Sequence, residues 1–193
     1  MDKDEVIRKM LEEDEDYRQF LYLDSAGVPT FGYGRNARDN GVTHAEALYL
    51  RDRDLAKADA AGQKFFTSQF YHQFLYYDVA RVPRIGYGRN LRDDGVDEEE
   101  ALYLLNCDIA KAEQDCQNFF HYWFSLPDAA QEVLVMLRFN MGLHRLLGFH
   151  DMLRYIEAGE WEEAANELRN SLWWHEVGHA RRERLVGMLR GIV

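Results

Sequence analysis

The spacing of apolar and polar residues divides the chain into a β-containing first part and a helical last part. The apolar run Phe20–Asp24, a turn over residues 26–29 and a second run Thr30–Tyr33 predict a β-hairpin. From Leu126 to the C-terminus the apolar residues recur with the helical period and are interrupted at glycines. We expect an α+β fold class: a small hairpin-containing lobe, a long connecting helix and a mostly helical lobe, with a cleft between the lobes.

The hairpin segment occurs twice. Residues 17–66 match residues 71–120 at a constant offset of 54 without a gap, and 30 of the 50 paired positions are identical. Two copies are too few for a solenoid, so the sequence favours a duplicated hairpin–helix unit. We predict one domain overall, in which 1–120 holds an N-terminal helix and the two tandem units, and 121–193 forms the helical lobe.

Each unit carries a marked helix start. Thr43 and Glu46 have the spacing of a capping box, and Asp97 and Glu100 repeat it in the second unit. The periodic segment 98–116 is the predicted connection to the helical lobe.

Composition and charge exclude several classes of protein. The net charge of −11 argues against a nucleic-acid partner, and no run reaches the roughly 18 apolar residues of a membrane helix. The acidic N-terminus lacks the order of a secretory signal, which predicts synthesis in the cytoplasm without a signal peptide. Cys107 and Cys116 are nine residues apart in one predicted helix, on opposite faces, so no disulfide is expected between them.

Candidate acid–base chemistry lies near the N-terminus. A glycosidase needs one group that protonates the leaving oxygen and a second that handles water or the sugar cation. Glu15 ends an acidic run, Asp24 follows nine residues later at the end of a strand, and Thr30 follows after six more. An acidic run alone is more typical of a solvated helix face.

The segment around these residues resembles the signature of phage-type lysozymes. That signature has Asp-Glu-Gly, then Tyr-x-Asp, then Gly-x-x-Thr-Ile-Gly-x-Gly, and the segment Met10–Gly34 follows it with Glu15, Asp24 and Thr30 at the family spacing. The resemblance extends through the helical lobe, at 139–142, 147–149, 159–165 and 171–173.

The resemblance implies a lysozyme-like fold and a muramidase of the inverting type, acting on the β-1,4 bond between N-acetylmuramic acid and N-acetylglucosamine. Glu15 is then the general acid, Asp24 activates the attacking water and Thr30 holds that water. The two carboxyl groups should stand roughly 6.5–9.5 Å apart.

Further residues take roles from the same resemblance. Arg181 pairs with the acid, with Arg182 as the alternative because one residue is inserted near His179. The predicted sugar-groove residues are Arg35, Asn36 and Phe139. The implied partner is the glycan strand of bacterial peptidoglycan, bound by a monomer without membrane insertion. The resemblance also implies that the protein needs no metal or cofactor and that it acts on the cell wall, lysing host bacteria, after its release.

The chain departs from the family pattern at two places. Asp16 replaces the glycine that follows the catalytic glutamate, and the hairpin is present twice. In the second copy the catalytic positions hold Gln69, Asp78 and Arg84, so only the first copy carries the complete set. The second copy, however, runs directly into the helical lobe. We expect the N-terminal helix to dock on that lobe and so to place hairpin one at the active site.

Two other functions remain open at this point. A non-catalytic peptidoglycan-binding protein on a degenerate lysozyme scaffold would share the same pattern. His175 and His179 fit the zinc motif His-Glu-x-x-His, but Gly178 interrupts the helix that both histidines need.

Overall fold

A computed structural model describes residues 2–61 and 70–192, which form two units. The helical unit holds the residues up to Asp14 together with those from Cys107 onward, and the hairpin unit runs from Glu15 to Asn106. The N-terminal helix thus groups with the C-terminal helices, whereas the sequence analysis grouped it with the repeats. The predicted α+β fold class is confirmed.

The helical unit is built around a long apolar helix. Its elements are α1 Lys3–Asp14, the second half of α3 Glu98–Phe119, the 3-10 turn Trp123–Ser125, α4 Asp128–Met141, α5 Leu143–Leu147, α6 His150–Ala158, α7 Trp161–Asn170, α8 Trp173–Glu176 and α9 His179–Arg190. Most of α4 between Ala130 and Leu137 is buried, which makes it the centre of the core. The predicted helix ends at Gly142 and Gly159 are confirmed.

The helix α1 is attached to this unit along its length. Ile7 and Leu11 are buried. At the start of the helix the Lys3 ammonium donates to the Gln131 side-chain oxygen at 2.8 Å. At its end Asp14 forms ion pairs with two arginines of α9, one of them Arg184. The expected docking of the N-terminal helix on the helical lobe is therefore present within this unit.

The hairpin unit contains two equivalent three-stranded antiparallel sheets. Sheet one comprises β1 Arg18–Leu23, β2 Pro29–Gly32 and β3 Arg35–Asn36, and is followed by α2 His44–Ala60. Sheet two comprises β4 His72–Tyr77, β5 Pro83–Gly86 and β6 Arg89–Asn90, and is followed by the start of α3. The third strand of each sheet, only two residues long, was not predicted. Residues 62–66 of the first repeat lie outside the described residues.

Both predicted capping boxes are present. The Thr43 side chain accepts from the Glu46 amide while the Glu46 carboxylate accepts from the Thr43 amide. Asp97 and Glu100 make the same reciprocal pair, with both distances at 2.9 Å. These bonds satisfy amides that a helix start otherwise leaves without acceptors.

Each hairpin packs against the helix of the other copy. A Cβ built on Gly32, at the end of β2, lies 3.4 Å from the Cβ of Ala101 in α3. A Cβ built on Gly86, at the end of β5, lies 3.2 Å from the Cβ of Ala47 in α2. We call this arrangement the exchanged packing: hairpin one lies on α3, and hairpin two lies on α2.

Reciprocal hydrogen bonds accompany the exchanged packing and join equivalent positions of the two copies. The Leu21 amide donates to the Leu91 carbonyl at 3.1 Å, and the Val96 amide donates to the Gln19 carbonyl at 2.8 Å. The bonds at the equivalent positions are Leu75 to Ala37 at 3.0 Å and Val42 to Gln73 at 2.8 Å. The equivalent rings of Tyr49 and Tyr103 stack with their centroids 3.9 Å apart.

A buried charge network also joins the copies. The Arg89 guanidinium contacts both Asp54 of α2, at 2.6 Å, and Glu100 of α3, at 2.9 Å. Burial raises the pKa of Asp54 to about 6 despite the nearby arginine.

None of the helices within residues 2–61 and 70–192 is long and apolar enough to cross a membrane.

Candidate active site

Glu15 lies directly after α1, and its half-buried carboxylate sits against the turn between β2 and β3. Gly34 in this turn has a φ of 73°, and a Cβ built on it falls 2.9 Å from Oε2 of Glu15. Any larger residue therefore displaces the carboxylate. The glycine in the Gly-x-Gly part of the motif makes room for the predicted acid.

Asp24 lies at the end of β1 and is held by the turn that follows it. Its Oδ1 accepts hydrogen bonds from the amides of Ala26, at 2.9 Å, and Val28, at 2.8 Å. Its Oδ2 accepts none from the residues that the structure describes. One carboxylate oxygen thus fixes the orientation, and the other is open to a water molecule.

Thr30 is buried in β2, opposite Tyr22 of β1. Its hydroxyl donates to the Val28 carbonyl at 2.9 Å, which leaves the oxygen lone pairs as acceptors. Burial raises the pKa of Tyr22, and the negative charges of Glu15 and Asp24 raise it further. The three predicted catalytic residues therefore share one face of hairpin one with Tyr22, which the sequence analysis did not single out.

Hairpin two has the same backbone but different chemistry. Asp78 Oδ1 accepts from the amides of Ala80 and Val82, both at 2.9 Å, as Asp24 does in hairpin one. Arg84, at the position of Thr30, donates from Nε to Asp78 Oδ2 at 2.7 Å and from Nη1 to the Gly88 carbonyl at 2.6 Å.

These contacts occupy both oxygens of Asp78. Hydrogen bonds from the Val82 amide and from Arg84 hold the pKa of Asp78 below its usual range. Gln69, at the position of the acid, lies outside the described residues. Hairpin two has no open carboxylate at the position that corresponds to Asp24.

Arg35 is buried in an ion pair. Its Nη2 lies 2.8 Å from Glu46 Oε2, and its Nε donates to the Gly41 carbonyl at 2.7 Å. Burial alone would raise the pKa of Glu46, but the Arg35 charge and the Thr43 amide hold it below its usual value. Because Arg89 and Glu100 repeat this pair in the copy without the catalytic set, the pair has a structural role. The prediction that Arg35 lines the sugar groove gains no support from this geometry.

The side chain of Asn36 forms hydrogen bonds within the turn that follows β3. Its Oδ1 accepts from the amides of Arg38, at 2.9 Å, and Asp39, at 2.8 Å, and its Nδ2 donates to the Asp39 carboxylate at 2.8 Å. Asn90 makes the equivalent bonds in the second copy. A contact between Asn36 and sugar therefore stays a prediction.

The remaining predicted residues lie in the helical unit. Phe139 is half-buried in α4. Arg181 Nε lies 3.0 Å from Asp14 Oδ2, and its Nη2 donates to the Asp14 carbonyl at 3.0 Å, whereas Arg182 donates to the Trp174 carbonyl at 2.7 Å. Of the two arginines, Arg181 is the one at the end of α1. Its pairing with the acid stays a prediction.

The histidine motif does not form a helical zinc site. His175 belongs to α8, which ends at Glu176, and His179 begins α9. The two histidines therefore do not lie one turn apart on a single helix, as the motif requires.

Comparison with known proteins places the chain in a family. The family model described as phage lysozyme matches residues 70–190, more than half of the chain. The chain belongs to the phage lysozyme family. It is 24% identical to probable T4-type lysozyme 1 of Dictyostelium discoideum over 186 residues, which cover 95% of this chain and 92% of that lysozyme. It is 25% identical to the pre-baseplate central spike protein of Enterobacteria phage T4 over 184 residues. That match covers 93% of this chain but only 27% of the spike protein.

The matched segment does not include the predicted catalytic residues Glu15, Asp24 and Thr30. It begins at Phe70 and so covers hairpin two, α3 and the helices that follow. A family model is matched to consecutive residues, and in the sequence hairpin two, not hairpin one, directly precedes α3. Membership of the family supports a lysozyme-type activity. The assignment of catalytic residues depends instead on the geometry of hairpin one.

Proposed function

We propose that the chain is a muramidase that hydrolyses the β-1,4 bond between N-acetylmuramic acid and N-acetylglucosamine with inversion, using Glu15, Asp24 and Thr30. The observation that carries the proposal is the shared face of hairpin one, where the Glu15 carboxylate fits against Gly34 and Asp24 keeps one oxygen open. The substrate class follows from the family.

The proposed reaction consumes one water molecule and uses two carboxyl groups, one as acid and one as base. Glu15 donates its proton to the glycosidic oxygen as the bond from that oxygen to the anomeric carbon breaks. Water attacks the opposite face of the anomeric carbon, and Asp24 accepts the water proton through Oδ2. Thr30 accepts the second hydrogen of this water, because its own hydroxyl hydrogen is directed to the Val28 carbonyl.

The exchanged packing supports the choice of hairpin one. This hairpin lies on the start of α3, the helix that continues from the hairpin unit into the helical unit. Glu15 also follows directly from α1, which belongs to the helical unit. Hairpin one is thus joined to α1 by the chain and packs on the start of α3, which supports it as the catalytic hairpin.

The test is the clearing of purified peptidoglycan, with matched variants in the two copies. We expect Glu15→Gln and Asp24→Asn each to reduce the rate by about 10²–10⁴-fold, the usual contribution of a positioned acid or base. Asp93→Asn, which makes the same change at an exposed carboxylate of the second copy, away from both hairpin faces, should leave the rate unchanged. Equal clearing by Glu15→Gln and the wild type would refute the proposal.

The second candidate function is non-catalytic binding of peptidoglycan. It is favoured by the Arg84–Asp78 pair, because hairpin two keeps its fold after losing the catalytic residue types. Wild-type protein that sediments with cell-wall sacculi but never clears them would support this candidate. In either case we propose that the protein acts as a monomer on glycan strands, after release from the cell that makes it.

A further inference from the structure

Hairpin two retains the surface of hairpin one on which the proposed catalytic residues lie. Tyr76 stands opposite Arg84 in the same register as Tyr22 opposite Thr30. Asp78 holds its turn by the two amide bonds that Asp24 makes. We call His72, Tyr76, Asp78 and Arg84 the second face. The shape of a saccharide-binding surface is thus preserved where its acid chemistry is lost.

The second face offers aromatic surface next to paired polar groups. The rings of His72 and Tyr76 lie against each other with their centroids 4.1 Å apart. The Arg84–Asp78 pair stands beside Tyr76, whose pKa is raised mainly by burial and is affected by both charges. Aromatic rings stack on the apolar faces of sugars, and planar charged groups bind hydroxyls and carboxylates.

The charge of hairpin two is more positive than that of hairpin one. Arg81 and Arg84 replace Gly27 and Thr30, so the tip of hairpin two gains two cations. Arg81 is exposed and has a φ of 57°, a conformation that suits glycine and that no other non-glycine residue within residues 2–61 and 70–192 adopts. In a chain with a net charge of −11, the exposed Arg81 is a local positive charge, whereas Arg84 is already paired with Asp78.

We propose that hairpin two is a non-catalytic binding site for a carboxylate-bearing saccharide strand. The sugar ring packs on the His72–Tyr76 pair, Arg84 and Asp78 bind its hydroxyls, and Arg81 binds a carboxylate of the strand. This inference rests on the proposed function, since the wall polymer cleaved at hairpin one is the ligand assigned to hairpin two. Binding at hairpin two keeps the protein on an insoluble wall between cleavages at hairpin one.

The test measures sedimentation of the protein with purified peptidoglycan sacculi, in a Glu15→Gln background so that the wall stays intact. The double variant Arg81→Gly/Arg84→Thr introduces the residues of hairpin one, and we expect its apparent Kd to rise about tenfold or more, since each lost charge-assisted contact is worth several-fold in affinity. The control is Arg38→Gln/Arg92→Gln, which removes two exposed arginines at equivalent positions outside the second face. It should leave the apparent Kd unchanged at the same net charge.

Several outcomes decide the question. An unchanged Kd in Arg81→Gly/Arg84→Thr, or an equal loss in the control, would overturn the proposal. If the double variant unfolds, Arg81→Gly alone decides, because glycine suits the φ of that position and removes one proposed contact. The catalytic proposal is judged separately, by whether Glu15→Gln clears peptidoglycan, so failure of one proposal is distinguishable from failure of the other.

Discussion

Removal of residues 37–90 tests the exchanged packing most directly. The deletion takes out 54 residues, one repeat, and joins Asn36 to Leu91. It keeps α1, hairpin one and α3, and with them the bond from the Leu21 amide to the Leu91 carbonyl and the contact of Gly32 with Ala101. If hairpin one already lies on α3 in the full chain, the shortened chain forms a single-hairpin lysozyme without rearrangement.

The effect of this deletion on the free energy of unfolding depends mainly on the buried charges. The deletion removes Glu46, the partner of Arg35, and Arg89, the partner of Glu100. In the shortened chain Arg35 and Glu100 are 11 positions apart (100 − 35 − 54 = 11), as Arg35 and Glu46 are now (46 − 35 = 11), so they can pair. An unpaired buried charge would instead cost about 3–5 kcal/mol, a large part of the usual 5–15 kcal/mol of stability.

With that ion pair restored, the remaining losses include the stacking partner of Tyr103 and the ion pairs that Arg53 and Lys57 make with Asp97 and Glu100. A stacked pair of rings is worth about 0.5–1.5 kcal/mol beyond its buried area. We therefore expect the free energy of unfolding to fall by about 1–3 kcal/mol, measured by denaturant unfolding. The rate of peptidoglycan clearing should stay within about tenfold of the full chain, because the proposed catalytic face is untouched.

A second deletion of equal length is the control. Removal of residues 16–69 joins Glu15 to Phe70 and leaves hairpin two, with Arg84 in place of the threonine. This chain should clear peptidoglycan at least about 100-fold more slowly, the scale of a lost catalytic group. A folded but inactive protein lacking 37–90, or an active protein lacking 16–69, would refute the reasoning.

Two further predictions use single substitutions. Gly34→Ala places a Cβ 2.9 Å from Glu15 Oε2, and we expect about 10²-fold slower clearing. Gly88→Ala carries a similar left-handed strain of about 1–2 kcal/mol, because φ is 98°, and should destabilise the fold without slowing clearing. Asp54→Asn should gain stability relative to the wild type as the pH rises from about 4 to above 6, since the pKa of Asp54 is raised to about 6. The gain should reach about 1–2 kcal/mol after solvent screening, measured as unfolding free energies at pH 4 and 7.5, and a constant difference would contradict it.

Local features of the fold could be predicted from the sequence, because they depend on neighbouring residues. The capping boxes, the hairpin turns and the helix ends at Gly142 and Gly159 follow from residue type and spacing. The exchange of hairpins could not be predicted. The repeats share 30 of 50 residues, so Ala47 and Ala101 offer nearly the same surface to either hairpin.

The candidate site likewise has features that could be predicted from the sequence and features that depend on tertiary structure. The hairpin that carries Asp24 and Thr30 could be predicted from residue spacing, whereas the choice of Glu15, Asp24 and Thr30 rested on the resemblance to phage-type lysozymes. Arg35 differs, because its use in a buried ion pair depends on where α2 begins relative to β3, which is a tertiary feature. The Arg84–Asp78 pair could have been anticipated, since an arginine at the threonine position of hairpin two stands six residues from a carboxylate.

The exchanged packing also determines the order in which the chain can fold. Gly32 meets Ala101 across 69 residues (101 − 32 = 69), whereas α2 lies close to hairpin one in the sequence and leaves the ribosome long before α3. Contacts between distant residues form slowly because loop closure costs entropy. We therefore expect the early chain to hold hairpin one beside its own helix, and hairpin two to take that helix only as α3 becomes available. Folding of the two repeats is thus mutually dependent: neither hairpin reaches its final partner until the other has been made.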